Sequence, residues 1–308
     1  MVKGLVSIVI PSYNGSDKVV KAAKSALMQT YDKVEVIVVD DNGLGTEEQL
    51  KTQNAVKGLL ETYDNFKYIV HEVNKNGSAA RNTGARAANG EFIGLLDDDD
   101  EFYPHKIAMQ MEIYEKYNGE YSLTYCSFEE FRNNQLVKVG TKKYSGSLLY
   151  EVLMHKAVIG SSCLIMTKEA FDAVGGFDES FRRHQDWEFT ARVAAMYKVK
   201  AIEQIGFRRN LEYRNSPKNY ETAKKYRVHY IEKMMPYIQM LNKKQQKDII
   251  TSNYVEVMMQ LLRKGKILKF IKEYRGFKLG FYGIPFVAKA LFSYVFVNKN
   301  FWTLRKRK

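Results

Sequence analysis

Four short apolar runs, each ending in polar turn residues and separated by helix-length stretches, occupy the first third of the chain. They are Leu5–Ile10, Val34–Val39, Phe66–Val70 and Glu91–Leu96. Between them, Val19, Val20, Ala23 and Leu27, then Leu50, Leu59, Leu60 and Tyr63, fall at helical spacing. Ser78 is the expected cap of a third, alanine-rich helix running to Ala88. Runs this apolar suit strands covered on both faces. Strand and helix in strict alternation predict a mostly parallel α/β sheet with right-handed crossovers. Ligands of such sheets bind beyond the carboxyl ends of the strands, which share one edge. The first strand is expected to stop at Pro11. The predicted edge then carries Tyr13, Asp41 and the run Asp97, Asp98, Asp99 and Asp100.

If the chain stays extended there, Asp97 and Asp99 project to one side and Asp98 and Asp100 to the other. Four adjacent carboxylates repel, and a hard divalent cation, Mn²⁺ or Mg²⁺, would relieve them while leaving positions open for phosphate oxygens. The alternative is a solvated acidic turn before the next helix, with Pro104 near its first turn. Neither a G-x-G-x-x-G opening the first helix nor a G-x-x-x-x-G-K-[ST] is present. Standard dinucleotide and P-loop binding therefore lose support.

The pattern changes after Tyr114. Strands are expected over 122–128 and 136–139, joined at Asn133-Asn134, with a helix over 148–154 and a buried strand over 163–166. Thr167 is placed to cap a short helix ending at Gly175-Gly176, and another helix runs through Ala195. From about Pro217 the sequence reads as helical, basic and aromatic. The net charge of +13 lies wholly there: residues 217–308 carry +16 and residues 1–216 carry −3. Two cysteines, Cys126 and Cys163, form no metal or disulfide spacing and suit a reducing cytosol. The apolar segment after Met1 is short for a signal peptide, and no run of about 18 apolar residues predicts a membrane span.

Six segments in order carry a family resemblance: Ser7-Ile8-Val9-Ile10-Pro11-Ser12-Tyr13-Asn14, Val39-Asp40-Asp41, Gly77-Ser78-Ala79-Ala80-Arg81-Asn82, Leu96-Asp97-Asp98-Asp99-Asp100, Gly175-Gly176-Phe177-Asp178 and Gln185-Asp186-Trp187-Glu188. Over roughly residues 5–215 the chain resembles glycosyltransferase family 2, as found among bacterial cell-surface polysaccharide enzymes. The resemblance implies a GT-A fold, a nucleotide-sugar donor, one divalent metal and inversion at the anomeric carbon. It places Pro11 and Tyr13 along the base pocket and Asp41 on the imide of a uracil or thymine base, with Asp40 holding the loop. Arg81 would lie near the nucleotide, Asp97 at ribose or metal, and Asp99 on the metal. Asp98 and Asp100 stand as alternates in that register. Asp186 matches the catalytic base, supported by Glu188, with Trp187 beside it. Ser161 and Ser162 sit where donor or acceptor is contacted, His184 is an acceptor-side candidate, and Arg214 resembles a diphosphate-contacting arginine.

Residues 263–308 interleave cations with aromatics, and residues 286–297 are apolar apart from Lys289 and Ser293. This suits a helix lying in a membrane interface. The expected organisation is a catalytic domain over 1–215 and a membrane-associating region over 216–308, in a cytoplasmic protein peripheral at the inner face of the cell membrane. Packing on the catalytic domain or on a twin subunit ranks second for this region, and nucleic acid a distant third. The expected reaction is transfer from a nucleotide-sugar, a UDP-sugar by preference, to a hydroxyl of a lipid-linked or oligosaccharide acceptor. The rivals are a sugar-1-phosphate nucleotidyltransferase and a non-catalytic glycan-binding adapter.

Overall fold

The computed structural model describes residues 1–211 and 219–293. The chain divides into two compact units, Met1–Tyr213 and Arg214–Lys308.

The first unit opens with the expected alternation: β1 (Val2–Ser12), α1 (Val19–Leu27), β2 (Val34–Asp40), α2 (Glu47–Thr62), β3 (Phe66–Val70), α3 (Gly77–Ala87) and β4 (Gly90–Leu95). These four strands are parallel, in the order β3-β2-β1-β4, with Ile8 opposite Val36 on one side and Gly94 on the other. Every residue of β2 is buried, as a strand covered on both faces requires. Pro11 does not end β1, which continues through Ser12. In the parallel ladder Val9 faces β4, accepting from the Leu96 amide, and Ser12 faces β2, accepting from Asp41. Pro11 therefore faces β4 where that ladder has already ended, and its missing N–H costs no bond.

The start of α3 also differs from expectation. Ser78 does not cap α3; Asn76 does, its side chain accepting from the Ser78 and Ala79 amides at 2.8 and 3.3 Å. Asn76 takes φ +90°, so the entry needs a residue that tolerates that conformation. Small residues let α3 lie close on the sheet: a Cβ on Gly84 would come within 2.2 Å of Val9 Cγ1.

The second half of the unit comprises β5 (Glu101–Phe102), α4 (Lys106–Tyr117), β6 (Leu123–Arg132), β7 (Gln135–Gly140), α5 (Leu149–Leu153), β8 (Leu164–Thr167), α6 (Lys168–Ala173), α7 (Gln185–Met196) and β9 (Val199–Asn210). It extends the sheet as β4-β8-β6-β9-β5, with β7 paired to the second half of β6, Phe128–Arg132. The β6–β7 hairpin turns at Asn133 and Asn134, both with positive φ, as expected for that pair. Thr167 caps α6 by accepting from the Ala170 amide at 3.2 Å. β9 escapes the sequence reading. Its pairing with β6 is interrupted by irregularities at Cys126–Ser127 and Ser127–Phe128, which break the alternation that would reveal a strand. β9 matters because its end reaches back to the acidic run after β4.

The second unit holds α8 (Tyr220–Ile238), α9 (Lys243–Arg263), α10 (Ile267–Gly276) and helical backbone over 284–293. Its core joins Tyr220, Ala223, Val255, Met258 and Leu261, with Phe270, Tyr274, Phe277 and Phe286 packed against them. Arg227 is buried and donates to Asn253 at 2.6 Å and Glu256 at 3.1 Å. Among the described residues no helix is long and apolar enough to cross a membrane.

Candidate active site

The acidic run does not stay extended. β4 ends at Leu95, and the Asp100 amide bonds the Asp97 carbonyl at 3.1 Å, so Asp97–Asp100 is a turn. This overturns the expected two-sided alternation and sends the Asp97, Asp98 and Asp100 carboxylates to different partners. Asp98 points under the β1–α1 turn, accepting from Ser12 Oγ at 3.0 Å and the Tyr13 amide at 3.4 Å. A Cβ on Gly15 would fall 1.9 Å from Asp98 Oδ2, so this approach requires glycine. Burial pushes the Asp98 carboxyl up to about 6, against the pull of Ser12. Asp100 is buried, accepting from Ser162 Oγ at 2.7 Å and the Asn210 amide at 3.0 Å. Burial, then the charges of Asp97 and Asp99, raises its carboxyl well above the usual range. Asp98 and Asp100 are thus the struts of the turn. Asp97, with its side chain 40% exposed, and the partly exposed Asp99 are left toward solvent.

Asp97 faces α3. Arg81 donates from Nη2 to Asp97 Oδ1 at 2.6 Å and from Nη1 to Gln185 Oε1 at 3.0 Å. Its guanidinium also lies 5.5 Å from the Phe177 ring centre. Arg81 therefore ties the acidic turn to the first residue of α7, immediately before Asp186. Asp186 is half-buried at that helix start, its Oδ1 accepting from the Trp187 amide at 3.0 Å. Burial, then the charge of Asp97, raises its carboxyl, while Arg81 and the Trp187 amide pull it back. Gly160 leaves room beside it, since a Cβ there would sit 4.0 Å from Asp186 Oδ2.

Ser161 and Ser162 are buried in a single 3-10 turn before β8. Ser162 Oγ accepts from the Asp97 amide at 3.1 Å while donating to Asp100, so it fastens the acidic turn from behind. Glu188 is buried away from this edge and pairs with Arg192. Arg192 in turn donates to the Val174 carbonyl and, at 2.6 Å, to that of Gly176. That pair holds the Gly175-Gly176 turn. Tyr13 is 54% exposed beside half-buried Pro11, leaving a flat ring at the strand edge. Arg214 lies outside the described residues.

Asp41 requires a correction. Its carboxylate is 2% exposed. Oδ1 meets His71 Nδ1 and the Lys75 amide, both at 2.7 Å, and Oδ2 accepts from Asn74 Nδ2 at 3.0 Å and the Asn76 amide at 2.8 Å. A carboxylate has about four acceptor positions, so none remains for a base imide in this arrangement. Asp41 holds the 71–76 loop and thereby the start of α3, while Asp40 accepts from Asn42 and Tyr68. Asp41→Ala should cost about 3 kcal/mol or more, since it strands several buried donors. A urea midpoint within a few tenths of a molar of wild type, at unchanged slope, would refute this role.

The roles of Ser12, Gln185 and Asn210 were not foreseen. Ser12 and Gln185 lie inside quoted motifs, whereas Asn210 lies on the unrecognised β9. A pocket of about 290 Å³ adjoins the turn, lined by Lys18, Lys21, Asp99, Glu101, Arg208 and Asn210 among others. Among the described residues no three or more His, Cys, Asp or Glu side chains form a metal cage. The donor set still suits a hard cation: Asp97 and Asp99 supply carboxylate oxygens, and Mg²⁺-type ions take one or two of these and fill their shell with water and phosphate.

A family model described as Glycosyl transferase family 2 matches residues 7–206. The chain belongs to glycosyl transferase family 2. This family member is 24% identical over 272 residues to the amylovoran biosynthesis glycosyltransferase AmsB of Erwinia amylovora, covering 85% of this chain and 86% of AmsB. It is 32% identical over 165 residues to the UDP-Glc:alpha-D-GlcNAc-diphosphoundecaprenol beta-1,3-glucosyltransferase WfgD of Escherichia coli, covering 53% and 60%. Against rickettsial glycosyltransferases that are 31% to 34% identical, it spans at most 60% of their length. The fold is of GT-A type. It resembles S. aureus TarS 1-349 in complex with UDP-GlcNAc (TM-score 0.59, 14% identity, 90% and 92% covered). It also resembles the mannosyltransferase PcManGT of Pyrobaculum calidifontis in complex with GDP-Man and Mn²⁺ (TM-score 0.59, 15% identity, 94% and 86% covered).

Proposed function

We propose that this protein is an inverting, metal-dependent glycosyltransferase that moves a sugar from a nucleotide-sugar, a UDP-sugar by preference, to a hydroxyl of a growing surface polysaccharide. The observation that carries the reading is the Arg81 bridge. One buried guanidinium joins Asp97 of the acidic turn to Gln185, beside Asp186, so the diphosphate corner and the base are set by one hydrogen-bond network.

The roles divide by exposure. Tyr13 and Pro11 offer the base a flat apolar face. Asp97 and Asp99 would hold a divalent ion, Mn²⁺ or Mg²⁺, and its chemistry there would be to offset charge on a departing nucleoside diphosphate. Arg81 keeps Asp97 oriented toward that corner. The Asp186 carboxylate accepts the proton of the acceptor hydroxyl as it attacks the anomeric carbon opposite the leaving group. Its raised pKa strengthens it as a base at neutral pH relative to an ordinary aspartate. Similarity to AmsB supports a polysaccharide acceptor, and similarity to WfgD supports a lipid-linked one. Incubating the protein with UDP-sugars, Mn²⁺ and a lipid-diphosphate-linked sugar should release nucleoside diphosphate. Release of pyrophosphate from UTP and a sugar 1-phosphate, with no nucleoside diphosphate released from the UDP-sugars, would make the protein a nucleotidyltransferase, and no release in either mixture with glycan binding would make it an adapter.

The second unit is assigned to the membrane surface. α10 leaves Ile267 60%, Leu268 85% and Ile271 42% exposed, and Phe281 beyond it is 91% exposed. Lys264, Lys266, Lys269, Lys272 and Arg275 interleave with these residues along the chain, and Lys269 also pairs with Glu221. Each cation near an anionic leaflet contributes about 1 kcal/mol. The protein should therefore sediment with phosphatidylglycerol vesicles and remain free with phosphatidylcholine, and Leu268→Glu with Phe281→Glu should abolish sedimentation. Equal binding to both lipids would refute the assignment.

A further inference from the structure

Three aromatic rings stand together beside the base. The His184 imidazole stacks on Trp187 at 4.1 Å and 17°, and the His155 imidazole lies 4.0 Å from the same ring at 42°. His155 comes from the turn after α5, where its amide bonds the Val152 carbonyl at 2.9 Å. Both histidines take positive φ, 53° and 62°, a region uncommon outside glycine and typical of constrained functional turns. The chain from His155 then passes the site in order. The Ala157 amide bonds the Glu151 carbonyl at 3.1 Å, Gly160 faces the Asp186 carboxylate, and Ser162 fastens the acidic turn. One segment, 155–162, thus packs on Trp187, runs alongside Asp186 and fastens the acidic turn. His155, His184 and Trp187 are each partly exposed as residues.

Holding the donor makes no use of these rings. Presenting an acceptor hydroxyl to Asp186 does require a surface beside it, and sugar C–H groups, which carry partial positive charge, pack favourably on aromatic rings. We propose that His155 is an acceptor-positioning residue: with His184 it fixes Trp187, and the three rings form one wall of a subsite for a pyranose next to Asp186. This rests on Asp186 being the base of the proposed transfer.

The test uses the full chain with Trp302→Phe, which leaves Trp187 as the sole indole of the two tryptophans. Trp187 emission is titrated with the methyl glycosides of glucose, galactose and N-acetylglucosamine, and UDP affinity is measured separately. At least one glycoside should change the emission saturably. His155→Asn removes the ring but tolerates the positive φ; it should weaken that glycoside about tenfold and leave UDP affinity within about twofold. Emission unmoved by all three glycosides would overturn the proposal. So would a His155→Asn variant that loses UDP as much as glycoside, which marks a merely structural residue. Asp186→Asn should keep the glycoside response, so failure of the base assignment, seen as retained turnover in that variant, is distinguishable from failure of the subsite.

Discussion

Asp186→Asn should lower kcat about a thousandfold while leaving donor affinity near wild type. The amide keeps the size of the side chain and can still meet the Trp187 amide through its carbonyl oxygen, so α7 should start where it does now. What is lost is the ability to take a proton. The pH profile carries the same information with a definite sign. Burial and the Asp97 charge raise the Asp186 carboxyl, so it becomes protonated, and inactive as a base, at a higher pH than an ordinary aspartate. The acid limb of kcat/KM should therefore lie above the usual carboxylate range. Asp97→Asn removes a raising charge and should move that limb down, whereas Arg81→Gln removes a lowering charge and should move it up. Limbs that move together in the two variants would show that Asp186 is not the titrating group.

Asp99→Asn should reduce transfer at saturating donor by a hundredfold or more, the several kcal/mol a Lewis acid supplies to a leaving group, and excess Mn²⁺ should restore part of it. Asp98→Asn behaves differently in this account. Its carboxylate is a strut against Ser12 and Tyr13 rather than an open ligand, so its loss should appear first in stability and in the placement of Tyr13. If Asp98→Asn removed the Mn²⁺ dependence and Asp99→Asn kept it, the register of the metal corner would be wrong by one residue.

The parallel half of the sheet was legible because β1, β2 and β4 carry nearly uninterrupted apolar runs, the composition of strands buried on both faces, while β3, mostly half-buried, was legible from its place in the alternation. The Asn133-Asn134 turn and the Thr167 cap were legible because their chemistry is local. β9 was not, because its irregular pairing with β6 hides the alternation and its last residues are charged or polar. At the site, the place of the acidic run was readable from its position after a buried strand, but the division among its four carboxylates was not. That division follows from a turn at Asp97–Asp100 and from Ser12, Ser162 and Asn210, residues distant in sequence. The burial of Asp41 depends likewise on the 71–76 loop folding over it, and nothing in Val39-Asp40-Asp41 records that loop.

The central claim is that this edge binds a nucleotide-sugar through a divalent ion. The direct measurement is thermal unfolding of the full chain with UDP-glucose, UDP-galactose, UDP-N-acetylglucosamine and GDP-mannose, each with and without Mn²⁺. A ligand present at about a hundred times its Kd stabilises the folded state by about 2.7 kcal/mol, enough to raise Tm by several degrees. The account predicts such a rise for at least one UDP-sugar, dependent on Mn²⁺ and abolished by Asp99→Asn. A Tm unmoved by every nucleotide-sugar in the presence of Mn²⁺ would contradict it.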